Sequence, residues 1–149
     1  RDAADEMLII GCNTVSHLGA GIFELSRTGD DTSAREWERT PKMGVNTLAF
    51  RLPQHDAFYQ VDADCVGILN DITPWEKNRQ WLHLLSYSNT PLFVSCTDAI
   101  PDNCKEDLKT AYRVFNEEKP HDIEPLDIYE TRIPTRWKID GEIVEYDWR

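Results

Sequence analysis

The sequence predicts an α/β fold in which short buried strands alternate with helices around a parallel sheet, followed by a β-hairpin. Three observations predict it. Four short apolar runs occupy residues 7–10, 21–25, 58–61 and 91–94, and at least two are near-continuous rather than alternating, as parallel strands covered on both faces read. Helix-start signals and helically spaced apolar residues fill the gaps between them. Near the end, Asp140-Gly141 sits between apolar and polar residues in alternation, the strongest short-range hairpin signal.

In chain order, Met7-Leu8-Ile9-Ile10 is the first expected strand, and Gly11-Cys12-Asn13-Thr14 follows it. The second, ending at Leu25, leads into Ser26-Arg27-Thr28-Gly29-Asp30-Asp31. Ser33-Ala34-Arg35-Glu36 reads as a capping box opening a helix that carries Trp37 and meets Pro41. The third strand ends at Val61, before Asp62-Ala63-Asp64. Thr73-Pro74-Trp75-Glu76 is a second capping box with Pro at its favoured first position, and that helix carries Trp81, Leu82, Leu84 and Leu85. The fourth strand leads to Ser95-Cys96-Thr97-Asp98. A third helix starts near Asp102, with Cys104, Leu108, Ala111, Tyr112 and Phe115 at helical spacing. Pro120, Pro125 and Pro134 then rule out a long helix, and residues 137–146 form the hairpin. A boundary is expected near residue 117, dividing the chain into 1–116 and 117–149.

The 149 residues carry 27 Asp and Glu against 16 Lys and Arg, a net charge of -11. With 10 acids and 5 bases, residues 117–149 hold -5 of it. Phosphate backbones and anionic membrane surfaces demand clustered Lys and Arg, so nucleic acid and membrane are not expected partners. No apolar stretch is long enough to span a bilayer, and no secretory leader is expected. Cys12, Cys65, Cys96 and Cys104 form no C-x-x-C pair and are expected to be free, buried thiols. His17, His55, His83 and His121 form no metal-ligand spacing, Ser16 and Ser95 lie in no nucleophile elbow, and Gly19-Ala20-Gly21 is too short for a phosphate loop. Trp37, Trp75 and Trp81 fall on expected helices and are assigned to the core rather than to a sugar platform.

Two clusters could carry chemistry. In residues 27–33, an Arg and two Asp stand at a strand end, where α/β folds place their sites. Arg27 can hold a hydroxyl or carboxylate, and a neighbouring carboxylate can serve as acid or base. The plainer alternative is an acidic helix start with a salt bridge. Asp62 and Asp64 form the second cluster. Strand alternation sends both to one side, where paired carboxylates either bind something, share a proton or merely cap a polar strand end.

Val61-Asp62-Ala63-Asp64-Cys65-Val66 resembles the first motif of haloacid dehalogenase-type phosphatases. That resemblance implies magnesium held by Asp62 and Asp64, although two strand-helix units precede the motif here, which departs from that family's order. A longer resemblance covers residues 7 to about 116. Ile9-Ile10-Gly11-Cys12, Arg27-Thr28-Gly29-Asp30-Asp31, residues 58–66 and residues 84–95 recur in the order seen in the second half of the catalytic barrel of melibiase-type α-galactosidases (glycoside hydrolase clan D, families 27 and 36).

That resemblance implies the C-terminal half of a (β/α)8 TIM barrel, about four strand-helix units, followed by the start of a β-domain. It implies a retaining hydrolase of α-linked glycosides with no metal or organic cofactor. Asp31 becomes the general acid/base, since the Arg-to-Asp spacing of four selects it over Asp30. Arg27, Asn13, Asp62 and Asp64 become substrate-binding residues. Asn13 stands where lysosomal-branch relatives carry Glu, a departure at a sugar contact. The family's nucleophile belongs to a strand preceding residue 7, so the chain is expected to begin inside a catalytic domain. Its expected partners are a glycoside substrate and the missing barrel half or a second copy. A non-catalytic carbohydrate-binding or assembly fragment is the alternative.

Overall fold

The computed structural model describes residues 7–32, 34–69, 71–96 and 99–149, and shows a mixed α/β protein. Strands β1 (Ile10–Cys12), β2 (Leu25–Arg27) and β3 (Gln60–Asp62) pair in parallel and in sequence order. Just beyond, β4 (Cys65–Ile68) pairs in parallel with β5 (Phe93–Cys96). Asp64 separates β3 from β4 with a φ of 69°, so one stretch of chain serves two ladders in turn. Among the described residues these strands do not close into a barrel.

Strands β1, β2, β3 and β5 each start two to four residues later than the apolar run that predicts them, while β4 falls in none of the four runs. Met7 and Leu8, expected in a strand, are 64% and 71% exposed. A ladder needs only backbone N–H and C=O groups, so the polar ends of the runs are drawn into it. Ser26, Arg27 and Asp62 therefore lie within strands rather than in the loops after them.

The helices depart from expectation in instructive ways. Between β1 and β2 there is a short 3-10 helix (Ser16–Gly19) and no α-helix. The helix expected to start at Ser33, which lies outside the described residues, instead starts at Thr40 as a π-helical turn (Thr40–Val45) and continues as α1 (Asn46–Arg51). Pro41 therefore opens the helix rather than ending it, since a first-turn residue has no intrahelical use for an N–H. Helix α2 (Trp75–Ser86) follows Pro74, and Thr73 does not cap it: its Oγ donates to the Ala34 carbonyl at 2.6 Å, tying the two segments together. Helix α3 (Asp102–Phe115) buries Cys104, Leu108 and Ala111 on one stripe, while Tyr112 and Phe115 remain exposed. No described helix is long and apolar enough to cross a membrane.

The C-terminal segment forms an antiparallel sheet of β6 (Ile123–Pro125), β7 (Arg136–Ile139) and β8 (Glu142–Glu145). Its turn is Asp140-Gly141 with φ of 49° and 91°, both positive as a type I′ hairpin requires. Gly141 tolerates this because it has no Cβ. A Cβ there meets nothing within 4 Å, so substitution acts through the backbone alone. Gly141→Ala is expected to lower stability by about 1–2 kcal/mol, read as the shift in the urea midpoint.

Trp137, Ile139, Tyr146 and Trp148 join one buried cluster with Trp37, Val45, Leu48, Trp75, Trp81 and the leucines of α2. Trp37 donates to the Trp148 carbonyl at 3.0 Å, and Gln80 exchanges hydrogen bonds with the Asp147 backbone. The tryptophans assigned to the core are there. None of the four cysteines is in a disulfide; Cys104 is buried as expected, whereas Cys65 and Cys96 are half-buried and Cys12 is exposed.

Candidate functional site

Strand register assembles the site. Cys12, Arg27 and Asp62 are direct neighbours at the C-terminal ends of β1, β2 and β3. The ladder runs one rung further: Asn13 N–H donates to the Arg27 carbonyl at 2.9 Å, and Thr28 N–H to the Asp62 carbonyl at 3.1 Å. Asn13 has a φ of 53°, so the chain leaves the sheet there with the side chain exposed. Asn tolerates this left-handed conformation better than most residues.

Arg27 organises the edge. Its Nη1 meets Asp31 Oδ1 at 2.5 Å and lies 3.9 Å from Asp64 Oδ1. Burial pulls the guanidinium pKa down, but the hydrogen bond to Asp31 and the charges of Asp64 and Cys12 outweigh it, so the net shift is upward. Asp30 takes a different partner, Arg39, at 2.5 Å, while Arg39 Nε donates to the Asp31 carbonyl at 3.1 Å. The Asp31 side chain is 59% exposed, a carboxylate held by one guanidinium with a face open to a ligand.

The two carboxylates after β3, expected on a common side, differ in burial and in backbone conformation. Asp62 ends the strand and is 5% exposed, whereas Asp64 has left it in a left-handed conformation. Asp62 Oδ1 accepts from Asp64 N–H at 2.7 Å. Asp64 Oδ2 accepts from Thr32 N–H at 2.6 Å and Thr32 Oγ at 3.3 Å, and Thr32 Oγ donates to the Cys65 carbonyl at 2.6 Å. Asp64 thus clamps the loop bearing Asp31 onto the chain between β3 and β4. Period-2 alternation fails because it holds only while the backbone stays extended.

Burial pushes the Asp62 pKa up, with the Asp64 charge adding to it against the opposing Asp64 N–H and Arg27. A raised folded-state value means that the native protein binds this proton more tightly than the unfolded chain. Stability is therefore lost as pH rises through the native value. Asp62→Asn keeps the acceptor for Asp64 N–H and removes the buried charge. It is expected to stabilise the chain at pH 7, with the gain shrinking towards pH 4, read as the difference in urea midpoints. Cys65 is pushed up to about 12 by burial and then by Asp64, so it stays a thiol and is no nucleophile near neutral pH.

Neither a known family's sequence profile nor a curated protein matches this chain.

Of the residues singled out in the sequence, Arg27, Asp31, Asp62 and Asp64 are brought together, and Asn13 stands beside Arg27 at the same edge through its backbone. Sequence reasoning missed Thr32, which clamps Asp64, and Arg39, which holds Asp30 and the Asp31 carbonyl. Neither has a motif, because each acts through contacts set by the loop's path. Among the described residues no three His, Cys, Asp or Glu side chains gather as a metal site. Asp64 Oδ2 is taken up by Thr32, and its Oδ1 lies 3.9 Å from Arg27.

Proposed function

We propose that this chain is the C-terminal half of the (β/α)8 barrel of a retaining α-glycosidase of the α-galactosidase type, followed by the start of its β-domain, and that it supplies the general acid/base. One observation carries the reading: Arg27, ion-paired to Asp31 in the loop after its strand, stands in register with Asp62 at the C-terminal edge of sequentially ordered parallel strands. That edge is where barrel enzymes hold their catalytic groups.

In this reading Asp31 protonates the departing glycosidic oxygen and later takes a proton from water. Arg27 holds Asp31 and a substrate hydroxyl. Asp62 and Asp64 form the floor, Asp64 by fixing the loop that presents Asp31. Asn13 offers both a donor and an acceptor to the sugar. The attacking carboxylate, about 5–5.5 Å from the acid/base in retaining enzymes, comes from the preceding barrel half. The chain alone is therefore inactive.

The test is α-aryl glycoside hydrolysis by the chain alone, by the longer protein containing it, and by that protein with Asp31→Asn. Activity only in the longer wild-type protein is expected. An active isolated chain, or an undiminished Asp31→Asn variant, sinks the assignment. No hydrolysis by the longer protein points instead to a carbohydrate-binding or assembly role.

A further inference from the structure

Helices α2 and α3 and the end of β8 border a cavity of about 400 Å³, within the range of small-molecule sites (about 300–1,000 Å³). None of its lining belongs to the strand-edge site. Both helices turn positions i, i+4 and i+7 towards it: 79, 83 and 86 from α2, and 107, 111 and 114 from α3. Ser86 and Ala111 are too small to fill the space between the helices.

The lining combines aromatic rings with carboxylates. The His83 ring lies 5.0 Å from that of Tyr87 and 5.9 Å from that of Tyr146, and its Nδ1 is hydrogen-bonded to the Tyr146 hydroxyl at 2.7 Å. Desolvation lowers the His83 pKa and raises those of both tyrosines, so all three rings are neutral near pH 7. The charges of Glu117, Asp140 and Glu142 raise Tyr87 further, which marks the field at this end as negative. Asp107 is half-buried and fixed: its Oδ2 accepts from Trp75 Nε1 at 2.7 Å, while its Oδ1 has no partner among the described residues. Glu145 joins it from β8. Arg79, exposed on α2, also lines the cavity but forms no ion pair with either carboxylate among the described residues.

We infer that this cavity binds an organic ammonium ion with an apolar body, an aralkylamine in chemical class. Neutral ring faces attract a cation through their quadrupoles. The open oxygen of Asp107 supplies a charge-assisted acceptor for the ammonium N–H. Leu82, Val114 and Val144 cover the body. An anion meets Asp107, Glu145 and the negative field at Tyr87. A neutral apolar ligand takes water from a half-buried carboxylate and returns nothing to it. Arg79 opposes the ligand's charge, but at an exposed position solvent and salt screen it.

The experiment titrates the ¹⁵N-labelled chain near pH 7 with 2-phenylethylammonium, 2-phenylethanol and phenylacetate, which share a benzyl body and differ in charge. The ammonium ion is expected to shift the amides of His83, Asp107, Ala111 and Tyr146, and to bind about tenfold more tightly than the alcohol, with phenylacetate weakest. Asp107→Asn keeps an acceptor for the Trp75 indole and should remove most of the preference for ammonium over alcohol. Glu145→Gln, at an exposed position where the fold is not at stake, should lower that preference about twofold. Equal affinity for the ammonium ion and the alcohol, or a preference unchanged in both variants, overturns the cation assignment. If none of the three ligands shifts these amides, the site itself falls. None of these outcomes bears on Asp31.

Discussion

On the proposed glycosidase reading, replacing Asp31 by Asn is expected to slow hydrolysis of alkyl α-glycosides by about 10²–10⁴-fold in a longer protein that contains this chain. The Asn side chain can still accept a hydrogen bond from Arg27, whose Nη1 lies 2.5 Å from Asp31 Oδ1, so the geometry survives while the proton is lost. The size of the loss should depend on the leaving group. An alkoxide needs the proton as the bond breaks, whereas a dinitrophenolate leaves without it. Glycosylation by the dinitrophenyl glycoside should therefore be nearly intact in Asp31→Asn, while the alkyl glycoside shows the full deficit. Single-turnover rates on the two substrates check this. A uniform loss across leaving groups would assign Asp31 to substrate binding instead. Asp30→Asn is the internal control: Asp30 is held by Arg39 and does not touch Arg27, so its loss should leave the leaving-group dependence unchanged.

The largest stability effect is expected at Trp81. It is 0% exposed, and its ring fills the space beside Gly44, where an added Cβ would come within 2.7 Å of the indole. Its Nε1 donates to the Cys65 carbonyl at 3.2 Å, the same oxygen that accepts from Thr32. Trp81→Ala leaves a cavity in the centre of the buried cluster and removes one of two donors from that carbonyl. A loss of about 3–5 kcal/mol is expected, set against a total of about 5–15 kcal/mol for an ordinary domain. Urea unfolding followed by circular dichroism measures it. Trp81→Phe restores most of the volume without the donor and should recover more than half of the loss. A cost below about 1 kcal/mol for the Ala variant would mean that the cluster is not a packed core. Because the Cys65 carbonyl also anchors Thr32, the Ala variant should perturb the amides of Thr32 and Asp64 even below the unfolding transition.

Some of this architecture is legible in the residues. The alternation of apolar runs with helical stripes carries β1, β2, β3, β5 and helices α2 and α3, but not β4. Asp140-Gly141 carries the hairpin, because positive φ at two successive residues is a local demand that few residue pairs meet. Arg27 pairs with Asp31, and Asp30 is held by Arg39 instead. Other features are not legible. Ser33-Ala34-Arg35-Glu36 reads as a helix start, yet the helix waits until Thr40, because Trp37 turns inward to Trp148. Thr73 reads as a cap and instead serves the Ala34 carbonyl. In both cases a distant partner, invisible at short range, outcompetes the local motif.

What the sequence by itself determined is local and chemical: the α/β class, the hairpin turn, the tryptophan-rich core and the residue types at the strand ends. Backbone propensity, hydrophobic periodicity and turn chemistry act over a few residues, so they can be read from a single chain. Only the tertiary structure decided which polar ends enter the ladder, and that Asp64 leaves the strand to clamp Thr32. Those outcomes depend on parallel register, which brings Cys12, Arg27 and Asp62 side by side across gaps of 15 and 35 residues. Register is fixed by packing and by hydrogen bonds between strands, and neither leaves a trace within a short window of sequence.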